Sequence, residues 1–152
     1  MHASPVLSEV QKHVNNLLNT DELKKRSFHN FNHTRHVVQK CDELATYYEV
    51  SAGDSEALLT AAWFHDTGYV YGNINHEEGS VKIASSFLNS INADQEFIKQ
   101  VHALIMATKL PSKPVTPLQK ILCDADLHHL ASEDYLQWSN RLCQEVELMT
   151  GN

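Results

Sequence analysis

The sequence predicts an all-α fold, a bundle of about seven helices sharing one core. Three observations carry this. Apolar residues recur at spacings of three and four along most of the chain. No convincing segment alternates apolar and polar residues with a period of two. The five glycines and four prolines fall almost entirely between the helical patterns.

The elements follow in order. Ser4-Pro5 reads as an N-cap and a first-turn proline, after which Val6, Val10, Val14, Leu17 and Leu18 recur at helical spacing. Thr20 to Asn32 is polar and irregular. A helix is expected from about His33 to Val50, with Val37, Val38, Cys41, Leu44, Ala45 and Tyr48 on one side. Ser51 to Asp54 reads as a turn, and Asp54 or Ser55 as the cap of a helix ending near Asp66. Thr67 to Asn75 is a Gly-containing loop. The helix from about His76 to Ser90 buries Val81, Ala84, Phe87, Leu88 and Ile91. Asp94 caps a helix through Ala107, and Lys109 to Pro117 is a loop. Thr116-Pro117 opens a helix carrying Leu118, Ile121, Leu122, Ala125 and Leu130, and Ser132 caps a last helix to about Met149.

Composition bounds the function. A chain of 152 residues amounts to about one domain, here 1–152, and buries roughly 68–70% of the surface its unfolded form exposes. No apolar run approaches the ~18 residues of a membrane span, and the polar N-terminus has no signal-peptide core. Cys41, Cys123 and Cys143 are far apart and form no C-x-x-C pair, so neither a disulfide framework nor a zinc ribbon is indicated. A reducing cytoplasm is the expectation, with no membrane contact. The net charge of −7 argues against broad nucleic-acid binding. A phosphorylated small substrate remains compatible with it, because a bound metal supplies positive charge locally.

The ten histidines matter through their placement. His65 and Asp66 sit together at the end of an apolar helix, just before Gly68. Adjacent residues can both ligate one ion where a fraying helix end lets both side chains swing to one point. Imidazole nitrogen and carboxylate oxygen suit divalent transition metals. Alone, such a pair is more often a cap or a surface pair. Upstream, FHNFNHTRHV places His29 and His33 one helical turn apart, with His33 facing the apolar side. Downstream, ILCDADLHHL sets two aspartates in an apolar helix. Asp126 lies one turn from Leu122 and Leu130, toward the buried stripe. A carboxylate there needs a partner or a metal.

Together these residues read H…HD…D. With HNFNH (from His29), WFHDTG (from Trp63), NHEEGS (from Asn75), ATK (from Ala107) and CDADL (from Cys123), the chain resembles the HD-domain metal-dependent phosphohydrolases. It is similar in particular to small bacterial HD proteins and to the HD domains of cyclic-nucleotide antiphage effectors. The resemblance covers most of the chain and implies an all-helical core of at least five helices around a metal. It implies His33, His65, Asp66 and Asp126 as ligands of one divalent transition metal ion, Mn, Fe, Zn, Co or Ni. It also implies hydrolysis of a nucleotide or other small phosphoester through a metal-activated water. His29 matches the histidine of a YHNxxH motif that protonates the leaving oxygen in related phosphodiesterases, although Phe28 replaces its tyrosine. Such relatives often continue with further helices beyond a point like Asn152, and a homodimer is compatible with the pattern.

Further candidates surround that set. Glu77, at a helix start, is placed to accept a proton, or it simply favours the helix N-terminus. His76 resembles the position that supplies a second-metal ligand in dinuclear relatives. The partner position of that second ligand reads as Thr108, so one metal is expected, with His76 contacting phosphate or supporting the ligands from behind; a second metal near His76 is the alternative. Lys109 is placed to neutralise phosphate or to complement a helix dipole. His129 follows Asp126 closely enough to reach the same pocket. The alternative functions are a nucleotide-binding regulatory module with little turnover and a dinuclear iron oxygenase.

Overall fold

A computed structural model of the chain describes residues 4–20, 25, 30–127 and 144. Among the described residues there are six α-helices, one short 3-10 helix and no strand. The all-α expectation therefore holds. The expected last helix, from Ser132 to about Met149, lies almost wholly outside these residues, as does Leu130.

Helix α1 (Pro5–Leu18) starts where the Ser4–Pro5 signal places it: Ser4 Oγ accepts the Leu7 backbone N–H at 3.0 Å. It buries Leu7, Val10, Val14 and Leu18 along one stripe. Helix α2 (Phe31–Tyr47) begins before the expected His33, because Asn30 caps it by accepting the His33 N–H at 3.1 Å. Tyr48, expected on the buried side, is 62% exposed. It falls past the last helical turn, where Glu49 adopts φ 53° and turns the chain away.

Helix α3 (Ala52–Phe64) runs through the middle of the molecule, and every residue from Ala57 to Phe64 is buried. The expected turn at Ser51–Asp54 is its first turn. Ser51, rather than Asp54 or Ser55, is the cap, accepting the Asp54 N–H at 3.2 Å. Asp54 instead accepts from Gln100 Nε2 at 2.9 Å, and Ser55 is buried. The loop expected after α3 is tightened over Thr67–Tyr71 into the 3-10 helix.

Helix α4 (His76–Ser90) buries Glu77, Ser80, Ile83, Ala84 and Leu88, while Ile91, expected on that face, follows its last turn and is 36% exposed. Helix α5 (Gln95–Ala107) is capped by Asp94, which accepts from Glu96 N and Phe97 N. Helix α6 (Pro117–Asp126) opens with a capping box: Thr116 Oγ1 accepts from Gln119 N, and the Gln119 side chain accepts the Thr116 N–H.

Helix α3 touches all five other helices, and α2 and α6 pack on each other. That arrangement decides the site. The C-terminal end of α3, the start of α2 and the end of α6 come to one place. No helix among the described residues is long and apolar enough to cross a membrane.

Candidate metal centre

The site begins with how α3 ends. His65 keeps helical dihedrals (φ −56°, ψ −30°), whereas Asp66 leaves them (φ −110°, ψ 3°). Consecutive side chains, normally about 100° apart around a helix, thereby reach one point. His65 is fully buried, and its Nδ1 donates to the Ala62 carbonyl at 2.7 Å. A carbonyl only accepts, so the proton of the neutral ring sits on Nδ1 and the Nε2 lone pair faces inward.

His33, in the first turn of α2, and Asp126, at the last residue of α6, meet this pair. One ligand atom each from His33, His65, Asp66 and Asp126 lie within 4.8 Å of one another. His33 Nε2 is 3.2 Å from Asp126 Oδ1 and 3.4 Å from Asp66 Oδ2. His65 Nε2 is 3.2 Å from Asp66 Oδ2 and 3.3 Å from Asp126 Oδ1. Imidazole and carboxylate thus alternate around a common centre. Ligands about 2.0–2.2 Å from one ion stand roughly 3–3.5 Å apart, so this spacing fits a single ion. His65 Nε2 and Asp66 Oδ2 are buried and have no hydrogen-bond partner, although they lie close together. Buried polar atoms are seldom left so, and a cation between them satisfies both. The donor set therefore fits a divalent transition ion.

The electrostatics agree. Burial alone would lower the His33 and His65 pKa values, but the facing carboxylates of Asp66 and Asp126 outweigh it and raise both. Burial alone would raise Asp66 and Asp126, but His65 and His33 hold both below the usual carboxylate range. The pocket favours positive charge at its centre.

His76, the first residue of α4, stands beside this cluster. Its Nε2 is 3.4 Å from Asp66 Oδ1 and 3.4 Å from Glu77 Oε1. Asp66 therefore turns one oxygen to the cluster and the other to His76. Glu77 is buried, whereas Glu78 points outward and pairs with Lys109. The Lys109 ammonium lowers the Glu78 pKa, and Glu78 raises that of Lys109. Thr108 donates its hydroxyl to the Ile105 carbonyl at 2.7 Å, so it closes α5. It also lines a small cavity with Asp126, Ser112 and Cys123. His102 is exposed. His29 and His129 lie outside the described residues.

Sequence reasoning gave no role to three residues that shape this site. Gly68 N donates to Ser80 Oγ at 2.8 Å, and Ser80 Oγ donates to the His65 carbonyl at 2.8 Å. Ser80 so binds the end of α3 to α4. A Cβ on Gly68 would stand 1.7 Å from the His76 carbonyl oxygen, so only glycine allows the turn to lie against α4. Tyr69 stacks on His76. Gly68 and Ser80 fall inside the quoted motifs, and their spacing from His65 was the available signal.

A model of the HD domain family matches residues 30–131. The fold is similar to the crystal structure of a predicted HD superfamily hydrolase from an uncultured Thermotogales bacterium. That likeness has a TM-score of 0.67 at 24% identity, covering 83% of this chain and 69% of the other. At that identity it bears on the fold. No curated protein matches the chain.

Proposed function

The chain belongs to the HD-domain family, whose model matches residues 30–131, and on that premise we propose that it is a metal-dependent phosphohydrolase acting on a nucleotide or another small phosphoester. His33, His65, Asp66 and Asp126 hold one divalent transition metal ion. The observation that carries this is the convergence of their four ligand atoms within 4.8 Å, with His65 Nε2 and Asp66 Oδ2 buried and otherwise unpartnered. Such an ion, when bound, lowers the pKa of a coordinated water and stabilises charge on phosphoryl oxygens.

The chain's own residues supply the rest. Glu77, buried and 3.4 Å from His76 Nε2, accepts a proton at Oε1. His76 presents an imidazole beside Asp66 for a phosphoryl oxygen. Lys109 binds phosphate by exchanging its Glu78 partner for the substrate. By the family resemblance His29 is assigned as the acid for the leaving oxygen, and His129, close to Asp126 in sequence, is assigned as a substrate contact. One ion is favoured over two because the position that carries a further imidazole in dinuclear relatives reads as Thr108, whose hydroxyl donates to Ile105 O at 2.7 Å. Among the described residues, the four-residue cluster is the single group of three or more metal-ligating side chains that meets in this way.

The test is metal content of the purified chain together with phosphate or nucleotide release from mono-, cyclic and dinucleotides. Wild type is compared with His65→Ala and Asp66→Ala. One ion per chain, with turnover lost in both variants, is the expected result. One ion without turnover on any compound moves the assignment to a binding module. Two irons per chain move it to an oxygenase, and no bound metal overturns it.

A further inference from the structure

We infer that Tyr69 is a positioning residue: its ring holds the His76 imidazole against the edge of the four-ligand cluster. The inference deepens the phosphohydrolase reading of the same site and rests on it for its catalytic consequence. The two rings lie nearly parallel, with centroids 4.0 Å apart and planes at 13°. Stacking of this kind fixes the plane of the imidazole. The two carboxylate oxygens at 3.4 Å, Asp66 Oδ1 and Glu77 Oε1, then fix which edge points inward.

The local backbone does not do this by itself. His76 opens α4 after Asn75, a left-handed residue (φ 53°, ψ 43°) whose side chain makes no capping bond. The His76 side chain is 15% exposed, so its surroundings do not enclose it completely. Tyr69 is delivered by the same turn that carries a ligand. Its N–H donates to the Asp66 carbonyl at 3.2 Å, and Gly68 lets that turn lie against the first turn of α4. One short 3-10 helix therefore sets the ligand Asp66 at its start and the plane of His76 through Tyr69.

The test uses the full chain, metal-free and zinc-loaded, as wild type, Tyr69→Phe and Tyr69→Leu. Histidine ring protons are followed by NMR, with His76 identified by the signal that His76→Ala removes. Phe keeps the ring-current shift of His76 and Leu loses it, while zinc content stays equal in all three. On the compound that wild type turns over best, Leu lowers kcat about ten-fold with KM nearly unchanged, and Phe restores it. In a His76→Ala background the Leu substitution costs nothing more, since Tyr69 acts through His76. An unmoved His76 signal in Tyr69→Leu overturns the inference. So does a Phe variant as impaired as Leu, or an equal cost with and without His76. Should Tyr69→Leu fail to fold by circular dichroism, Tyr69→Met carries the same comparison. If wild type turns over nothing, the hydrolase assignment fails separately, and the ring shifts still decide the role of Tyr69.

Discussion

At the scale of single residues, the site depends on a few that cannot be exchanged. Gly68→Ala places a methyl 1.7 Å from the His76 carbonyl oxygen and 2.6 Å from Ser80 N. Both are backbone atoms, so the turn after Asp66 must move. The expected outcome is loss of bound metal and a lower Tm, read by metal analysis and calorimetry; an Ala variant with full metal content would count against this packing. Protons provide a second test. In the metal-free chain His33 and His65 titrate above their ordinary 6.5, so their stabilisation is complete below that value. It is lost as pH rises through the raised folded values. Asp66 and Asp126 titrate below their ordinary 3.8, so theirs is present above it and lost only as pH falls through the depressed values. These four groups therefore contribute most to the metal-free chain between the two ordinary values, and their contribution is expected to fall as pH rises above them. The metal-loaded chain gains relative to it, because ligation needs unprotonated imidazoles. Tm measured with chelator and with metal from pH 5.5 to 8.5 checks both slopes. Each of the four clustered residues drew notice in the sequence as a ligating group in an apolar helical context, but only the resemblance to the HD family joined them into one set, which the fold brings together. Tyr69 and Ser80 drew none, because a stacking ring and a bridging hydroxyl look like any tyrosine or serine until α4 is placed beside α3.

At the scale of elements, caps explain both the agreements and the misplacements. The Ser4–Pro5 and Thr116–Pro117 starts were readable because proline at the first helical turn leaves little else for the preceding hydroxyl to do. The start of α3 was not. Ser51, Asp54 and Ser55 are all competent caps, and the choice is made by tertiary contacts: Asp54 is taken by Gln100 and Ser55 is buried. The 3-10 helix was equally hidden, since its tight turn is imposed by the α4 backbone against Gly68. Helix α6 offers a separation of element from site. Thr116→Ala removes the acceptor of the Gln119 N–H and one half of the capping box, at the opposite end of the helix from Asp126. It is expected to cost about 0.5–2 kcal/mol of stability in chemical denaturation. Metal content should stay at the wild-type level; its loss would mean that Asp126 depends on the whole helix rather than on its last turn.

At the scale of the whole molecule, an ion bound by the cluster would be a cross-link between elements that already share α3 as their core. His33 belongs to α2, His65 and Asp66 to the end of α3, and Asp126 to α6. An ion that binds these four only in the folded chain adds stability by mass action. At a free concentration about one hundred times Kd the gain is about 2.7 kcal/mol, or roughly 5–10 °C for a chain of this length. Chelation should lower Tm by that amount. The effect must be separable from ordinary core packing, and two variants separate it. Leu58 is fully buried on α3, so Leu58→Ala should cost about 2–5 kcal/mol whether or not metal is present. The chelator shift should persist in that variant. Asp126→Ala removes a proposed ligand that is only partly buried, its side chain 24% exposed, and should abolish the chelator shift. A shift that survives Asp126→Ala would place the stabilising ion somewhere other than between these three helices. A shift that disappears in Leu58→Ala as well would mean that the ligands are held together only by a fully packed α3. Core and site would then form one cooperative unit, rather than a core that stands by itself and a metal that adds to it.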